Sequence, residues 1–140
     1  GMLIGSCLAG VAFTKGLGLV HSISHMIGAE YNTQHGLTNA IILPVVMKFN
    51  LPYVEEKVGS ICHAMDLKDA SSDLITEEIE KILNYVDIPR SLSEIGIPLE
   101  CKKRIAKKAM LDSATGTNPR VAQIEDIEEL TEISILSARK

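Results

Sequence analysis

A chain of 140 residues with 46% hydrophobic residues, 4% aromatic residues and no Trp is one domain by length and can bury about 68% of its unfolded surface. Its interior must be built of Ile, Leu, Val, Ala and Met. A formal charge of −4 gives solubility without attraction to nucleic acid or to an anionic membrane, so neither partner is expected. Cys7, Cys62 and Cys101 are odd in number, far apart and without a C-x-x-C pair, so neither a disulfide framework nor a zinc knuckle is indicated and a reducing cytoplasm is the simpler reading.

Gly1 ahead of Met2 reads as a cloning remnant. From Leu3 to about Lys15 small and apolar residues alternate as in a helix, too short for the roughly 20 residues of a bilayer span and without the basic lead of a signal peptide. Each Gly costs up to about 1 kcal/mol relative to Ala in an isolated helix, so this segment is expected to be buried against close neighbours. Gly16-Leu17-Gly18 then marks a turn.

The next helix, about Leu19 to Ala29, carries His21 and His25. Four positions apart, they share one helix face. Gly28 and the polar run from Glu30 to Gln34 break the pattern, and a further helix is expected from His35 or Gly36 to Phe49, with Pro44 as a kink or a restart. Ala40 to Val46 has no polar face, which predicts a central helix buried on nearly all sides. A hairpin of these two helices would return His35 to the level of His21.

Three histidines within fifteen positions allow two readings. Neutral imidazole is the commonest nitrogen ligand for zinc and iron, and such ligands need only converge in space. Alternatively the rings are ordinary histidines, hydrogen-bonded in a helical core or lining a groove. Ser22 follows His21, so the zinc-protease helix with Glu after its first His is absent.

Val54, Val58, Ile61, Cys62 and Met65 form an amphipathic stripe, and His63 lies one position off it, facing solvent with no metal role. After the loop Asp69-Ala70-Ser71-Ser72-Asp73, a second stripe runs through Leu74, Ile75, Ile79, Ile82, Leu83 and Val86. Ser91-Leu92-Ser93-Glu94 has capping-box spacing, but Gly96 and Pro98 limit it to about one turn. Lys102, Lys103, Arg104, Lys107 and Lys108 make a basic face opposite Ile105, Ala106, Ala109 and Met110. Without interleaved aromatics it reads as a solvated face, or as a partner for Glu125, Asp126, Glu128 and Glu129. The last helix, about Ala122 to Leu136, carries Ile124, Ile127, Leu130 and Ile133 at a spacing of three. The sum is a single all-α domain over residues 1–140, a multi-helix bundle.

The string from Gly16 to Asn50, with its H-x-x-x-H, G-x-x-Y-N before His35-Gly36, Pro44 and Phe49-Asn50, closely resembles the signature of the iron-dependent (group III) alcohol dehydrogenases. Ala9-Gly10-Val11-Ala12-Phe13 and Thr117-Asn118-Pro119-Arg120 extend the resemblance over nearly the whole chain. It implies the later part of the C-terminal helical domain of the dehydroquinate synthase-like, iron-containing alcohol dehydrogenase fold.

It also implies that His21 and His35 match two ligands of an iron(II) or zinc(II) ion, and that His25 matches a catalytic histidine beside nicotinamide and substrate. Family members supply the remaining Asp and His as D-x-x-x-H on an earlier helix, and no Asp here lies four positions before a His. The nucleotide-binding domain is absent too, so NAD(P) belongs only to the intact enzyme. The expectation is half a metal site, inactive alone, arising as a fragment, a split gene product or a truncated paralogue. The ligand set would be completed by a separate nucleotide-binding subunit or a symmetry mate. Apolar surface left around Leu3 to Val20 predicts a homo-oligomer, most simply a two-fold dimer. The alternative is a non-catalytic helical oligomerisation or regulatory module.

Overall fold

A computed structural model describes residues 1–136. The described residues form α-helices α1 (Met2–Phe13), α2 (Leu19–Tyr31), α3 (His35–Asn50), α4 (Glu55–Ala64), α5 (Ser72–Tyr85), α6 (Lys102–Ala109) and α7 (Ile124–Leu136), with short 3-10 turns between several of them. The architecture is all-α among these residues, as the periodicities predict.

The hub is α3, which packs against α2, α5 and α7. Ile41, Ile42, Pro44 and Val46 are buried along it, and the helix passes through Pro44 without ending. Pro lacks the N–H of a helix interior, a cost of about 3 kcal/mol, so tertiary burial of this apolar helix outweighs the local defect. Around it, Leu19, Ile23 and Ile27 of α2, Ile105, Ala106 and Ala109 of α6, and Ile127, Leu130 and Ile135 of α7 complete one core. A smaller core joins Leu51, Val58, Cys62 and Ile75. At about 1.5–3 kcal/mol per fully buried large aliphatic side chain, the main core supplies most of the cohesion. The three cysteines are free thiols.

Three expectations are corrected. The segment from Leu3 to Lys15 is a helix, but none of α1 is buried: Met2 and Leu3 are 89% and 87% exposed, because among the described residues it meets its neighbours only near its end, where Phe13 sets its edge against His21. In α5 only part of the stripe is covered: Ile75 and Leu83 are buried while Ile82 and Val86 lie more than half exposed. In α7 a strict spacing of three drifts around the helix. The buried set is instead Ile127, Leu130, Thr131, Ser134 and Ile135, and Ile133 is partly exposed.

The basic face of α6 ties helices together instead of standing free. Lys102 pairs with Glu128 and Glu132 of α7, while Arg104 and Lys108 both hold Glu30 of α2, at 2.8 and 2.7 Å. Glu128 was among the expected partners. Glu30 and Glu132 were not, since nothing in the local pattern places α2 beside α6.

Candidate metal centre

The α2–α3 hairpin builds the site. Asn32 ends α2 in the left-handed conformation, φ 52°, with its N–H on the Gly28 carbonyl, a C-terminal stop that turns the chain sharply. The Gln34 side chain then accepts from the Leu37 N–H and caps α3. His35 is thereby returned to the level of His21, with ring centroids 5.3 Å apart. His25 lies 5.8 Å from His21 and is stacked on His35 at 5.4 Å with the ring planes 17° apart. All three predicted residues come together, and His63 is exposed and elsewhere.

The contact that joins two of the rings comes from a residue that no sequence pattern singles out. Asn39, one turn after His35, places its amide Nδ2 3.3 Å from His21 Nε2 and 3.0 Å from His35 Nε2. An amide NH2 only donates, so both Nε2 atoms face it as acceptors and their lone pairs converge. A metal cation makes the same demand of two imidazoles. His21 Nδ1 and Asn39 Oδ1 are buried without a hydrogen-bond partner among the described residues, a cost folded proteins tolerate chiefly at working sites.

Burial lowers the His21 pKa, and the neighbouring His35 and His25 lower it further against an opposing pull from Asp112. The ring therefore stays neutral to lower pH than an ordinary histidine, the form a metal ligand needs. Among the described residues no group of three His, Cys, Asp or Glu is arranged to hold a metal ion. The donor set among the described residues thus fits a metal in part, through the two imidazoles that converge at Asn39.

His25 faces the other way in its hydrogen bonding, with Nδ1 3.0 Å from Asp112 Oδ2. Asp112 lies in the loop between α6 and α7, which is clamped to the start of α2. Thr117 Oγ1 accepts from the Leu17 N–H and Asn118 Oδ1 from the Leu19 N–H. Asn118 also exchanges hydrogen bonds of 3.0 and 2.8 Å with Asn50. Gly16 and Gly18 permit this approach: both have positive φ, and a Cβ on Gly16 would sit 2.5 Å from Thr117 Cβ. Beside the clamp, Arg120 lies 3.7 Å over the Phe49 ring. A separate cavity of about 340 Å³, bounded in part by Ile41, Phe49, Arg120 and Leu130, has none of the three histidines in its walls.

Residues 1–135 match the family model described as the Fe-containing alcohol dehydrogenase family, C-terminal. The chain belongs to the iron-containing alcohol dehydrogenase family.

Its similarity to individual members is spread over almost its full length. It is 39% identical to lactaldehyde reductase of Escherichia coli K12 over 136 residues, which is 92% of this chain and 36% of that protein. It is 37% identical to the NAD-dependent methanol dehydrogenase of Bacillus methanolicus, over 88% of this chain and 34% of that protein. The solved structure of the alcohol dehydrogenase from Oenococcus oeni superposes with a TM-score of 0.84 at 30% identity, covering 91% of this chain and 35% of that one. The chain therefore spans about a third of the length of its iron-containing alcohol dehydrogenase relatives, and the described fold matches their C-terminal helical domain.

Proposed function

We propose that this chain is the portion of an iron-dependent alcohol dehydrogenase that supplies two metal ligands and a catalytic histidine. The intact enzyme would carry out NAD(P)-linked oxidation of an alcohol or reduction of an aldehyde. The observation that carries the reading is the convergence of His21 Nε2 and His35 Nε2 on one point at Asn39. His21 and His35 would hold iron(II) or zinc(II), which when bound supplies Lewis-acid stabilisation of charge on the substrate oxygen. His25, stacked on His35 and backed by Asp112, would exchange a proton with a group beside that oxygen.

Two imidazoles fall short of the three or four protein ligands of an ordinary site. The rest of the ligand set and the coenzyme site would come from another subunit or from a longer chain, and this polypeptide alone does not turn over alcohol with NAD(P). A pyridine-nucleotide assay giving about 1 turnover per second or more would overturn that. The ligand assignment is tested by metal content. His21→Ala and His35→Ala are each expected to lower the iron or zinc retained by the purified protein, and unchanged stoichiometry in both would sink it.

A second reading, a non-catalytic helical module that associates with another chain, is favoured by one observation. Helix α1 has no buried residue, and Leu3, Ile4, Leu8, Val11 and Phe13 are all exposed. Patches of this kind are usually covered, and a two-fold dimer is the simplest cover. Sedimentation showing a monodisperse monomer, together with unchanged metal content in the histidine variants, would leave neither reading standing.

A further inference from the structure

Asp112 is 87 positions from His25 in the chain, yet its Oδ2 lies 3.0 Å from His25 Nδ1. Its other oxygen, Oδ1, accepts the Ala114 N–H at 2.8 Å. The loop that carries it is fastened to the start of α2 at Leu17 and Leu19 through Thr117 and Asn118. The carboxylate and the ring it meets are therefore held by one frame. The Asp112 side chain is only 14% exposed and that of His25 35%, so water competes weakly for the contact.

Burial alone would raise the Asp112 carboxyl. The Ala114 N–H, and after it the His25 ring, outweigh burial and hold its pKa below the ordinary value. An ionised carboxylate only accepts, so the proton in the 3.0 Å contact sits on His25 Nδ1. A neutral imidazole with Nδ1 protonated has its lone pair on Nε2.

We propose that Asp112 is a positioning residue that fixes His25 in the Nδ1–H tautomer and so gives the ring an unprotonated Nε2, available as a proton acceptor. Histidine in water favours the opposite tautomer, with the proton on Nε2. Asp112 reverses that preference by offering a fixed anionic acceptor to one nitrogen only. The use of that acceptor in proton exchange rests on the reading of His25 given above, whereas the tautomer does not.

The test reads the tautomer directly, by long-range 1H–15N correlation of the histidine rings in the uniformly 15N-labelled full chain without metal. The spectrum is recorded about two units above the ordinary histidine value of ~6.5. His25 is assigned by the loss of its signals in His25→Gln. The expected spectrum shows His25 with Nδ1 protonated and Nε2 bare.

Asp112→Asn is the sharper variant. Its Oδ1 keeps the Ala114 N–H, which turns the amide NH2 toward His25 Nδ1, and a donor there forces the proton onto Nε2. The expected result is an inverted His25 tautomer with the Ala114 amide resonance in place. Asp112→Ala is expected to give a mixture weighted to Nε2–H. A wild-type ring already dominated by Nε2–H overturns the proposal whatever the variants do, and so does a wild-type pattern that survives in Asp112→Asn. Because the spectrum needs neither metal nor turnover, it can fail while the histidine ligand assignment stands, and the reverse.

Discussion

Replacing Asn118 with Ala tests whether the clamp between the α6–α7 loop and the His-bearing helix is energetic or incidental. The Asn118 side chain accepts from Leu19 N–H and from Asn50 Nδ2, and donates to Asn50 Oδ1 and to the Arg120 carbonyl. Leu19 is fully buried, and Asn50 and Asn118 are each 9% exposed. A buried polar group left unpaired costs about 1–3 kcal/mol. Leu19 N–H has no route to water in the intact fold, so it carries a cost near the middle of that range. The Asn50 amide adds about 1 kcal/mol more, whereas the partly exposed Arg120 carbonyl recovers water. The expected loss is roughly 3 kcal/mol, from a total on the order of 10 kcal/mol for a chain of this length. Urea denaturation followed by far-ultraviolet circular dichroism should show a lower midpoint at unchanged slope, with a fall in Tm of roughly 10 °C. Asn50→Ala should cost less, and the double variant less than the sum of the two, because each amide strands the other. A loss below about 1 kcal/mol in Asn118→Ala, or additivity within about 0.5 kcal/mol, would refute the reasoning.

Glu30→Gln should act through pH. Hydrogen bonds from Arg104, then from Lys108, lower the Glu30 pKa, so the folded value lies below the unfolded one. The pairing contributes above the unfolded pKa and is lost as pH falls through the folded pKa. The wild type should therefore have the higher urea midpoint at neutral pH, and the gap should narrow as the pH falls below the ordinary glutamate value of about 4.3. Ile105→Ala in the fully buried stripe of α6 should cost about 2–5 kcal/mol, while Ile82→Ala, 52% exposed, should stay within about 0.5 kcal/mol of the wild type by the same denaturation measurement. Gly16→Ala should destabilise by more than about 1 kcal/mol, since φ is +110° and the new methyl would meet Thr117. A neutral effect would mean that this turn is not built as described.

The sequence alone determined the helices, because apolar residues at helical spacing and the Gly, Asn and Pro breaks between them act over a few positions. The observed α2 and α3 differ from the expected spans by one or two residues at their ends. It also determined that His21 and His25 share a face and that His35 follows a turn. The short link between α2 and α3 leaves His35 little freedom except to come back beside them. At Ile82, Val86 and Ile133 the periodicity does not say which side of an amphipathic helix finds a neighbour.

Only the tertiary structure decided the remaining partners. Asn39 follows His35 by four residues and could have been noticed as a same-face neighbour, but its reach to His21 depends on how closely α2 and α3 pack. Asp112 carries no local signal toward His25 at all, because it arrives through the α6–α7 loop and the amide clamp at Asn118. Local hydrogen bonding and hydrophobic periodicity are written in neighbouring residues, whereas the convergence of side chains from distant segments is set by the packing of whole helices. The elements and the histidine cluster were therefore legible in advance, and the groups that orient each ring were not.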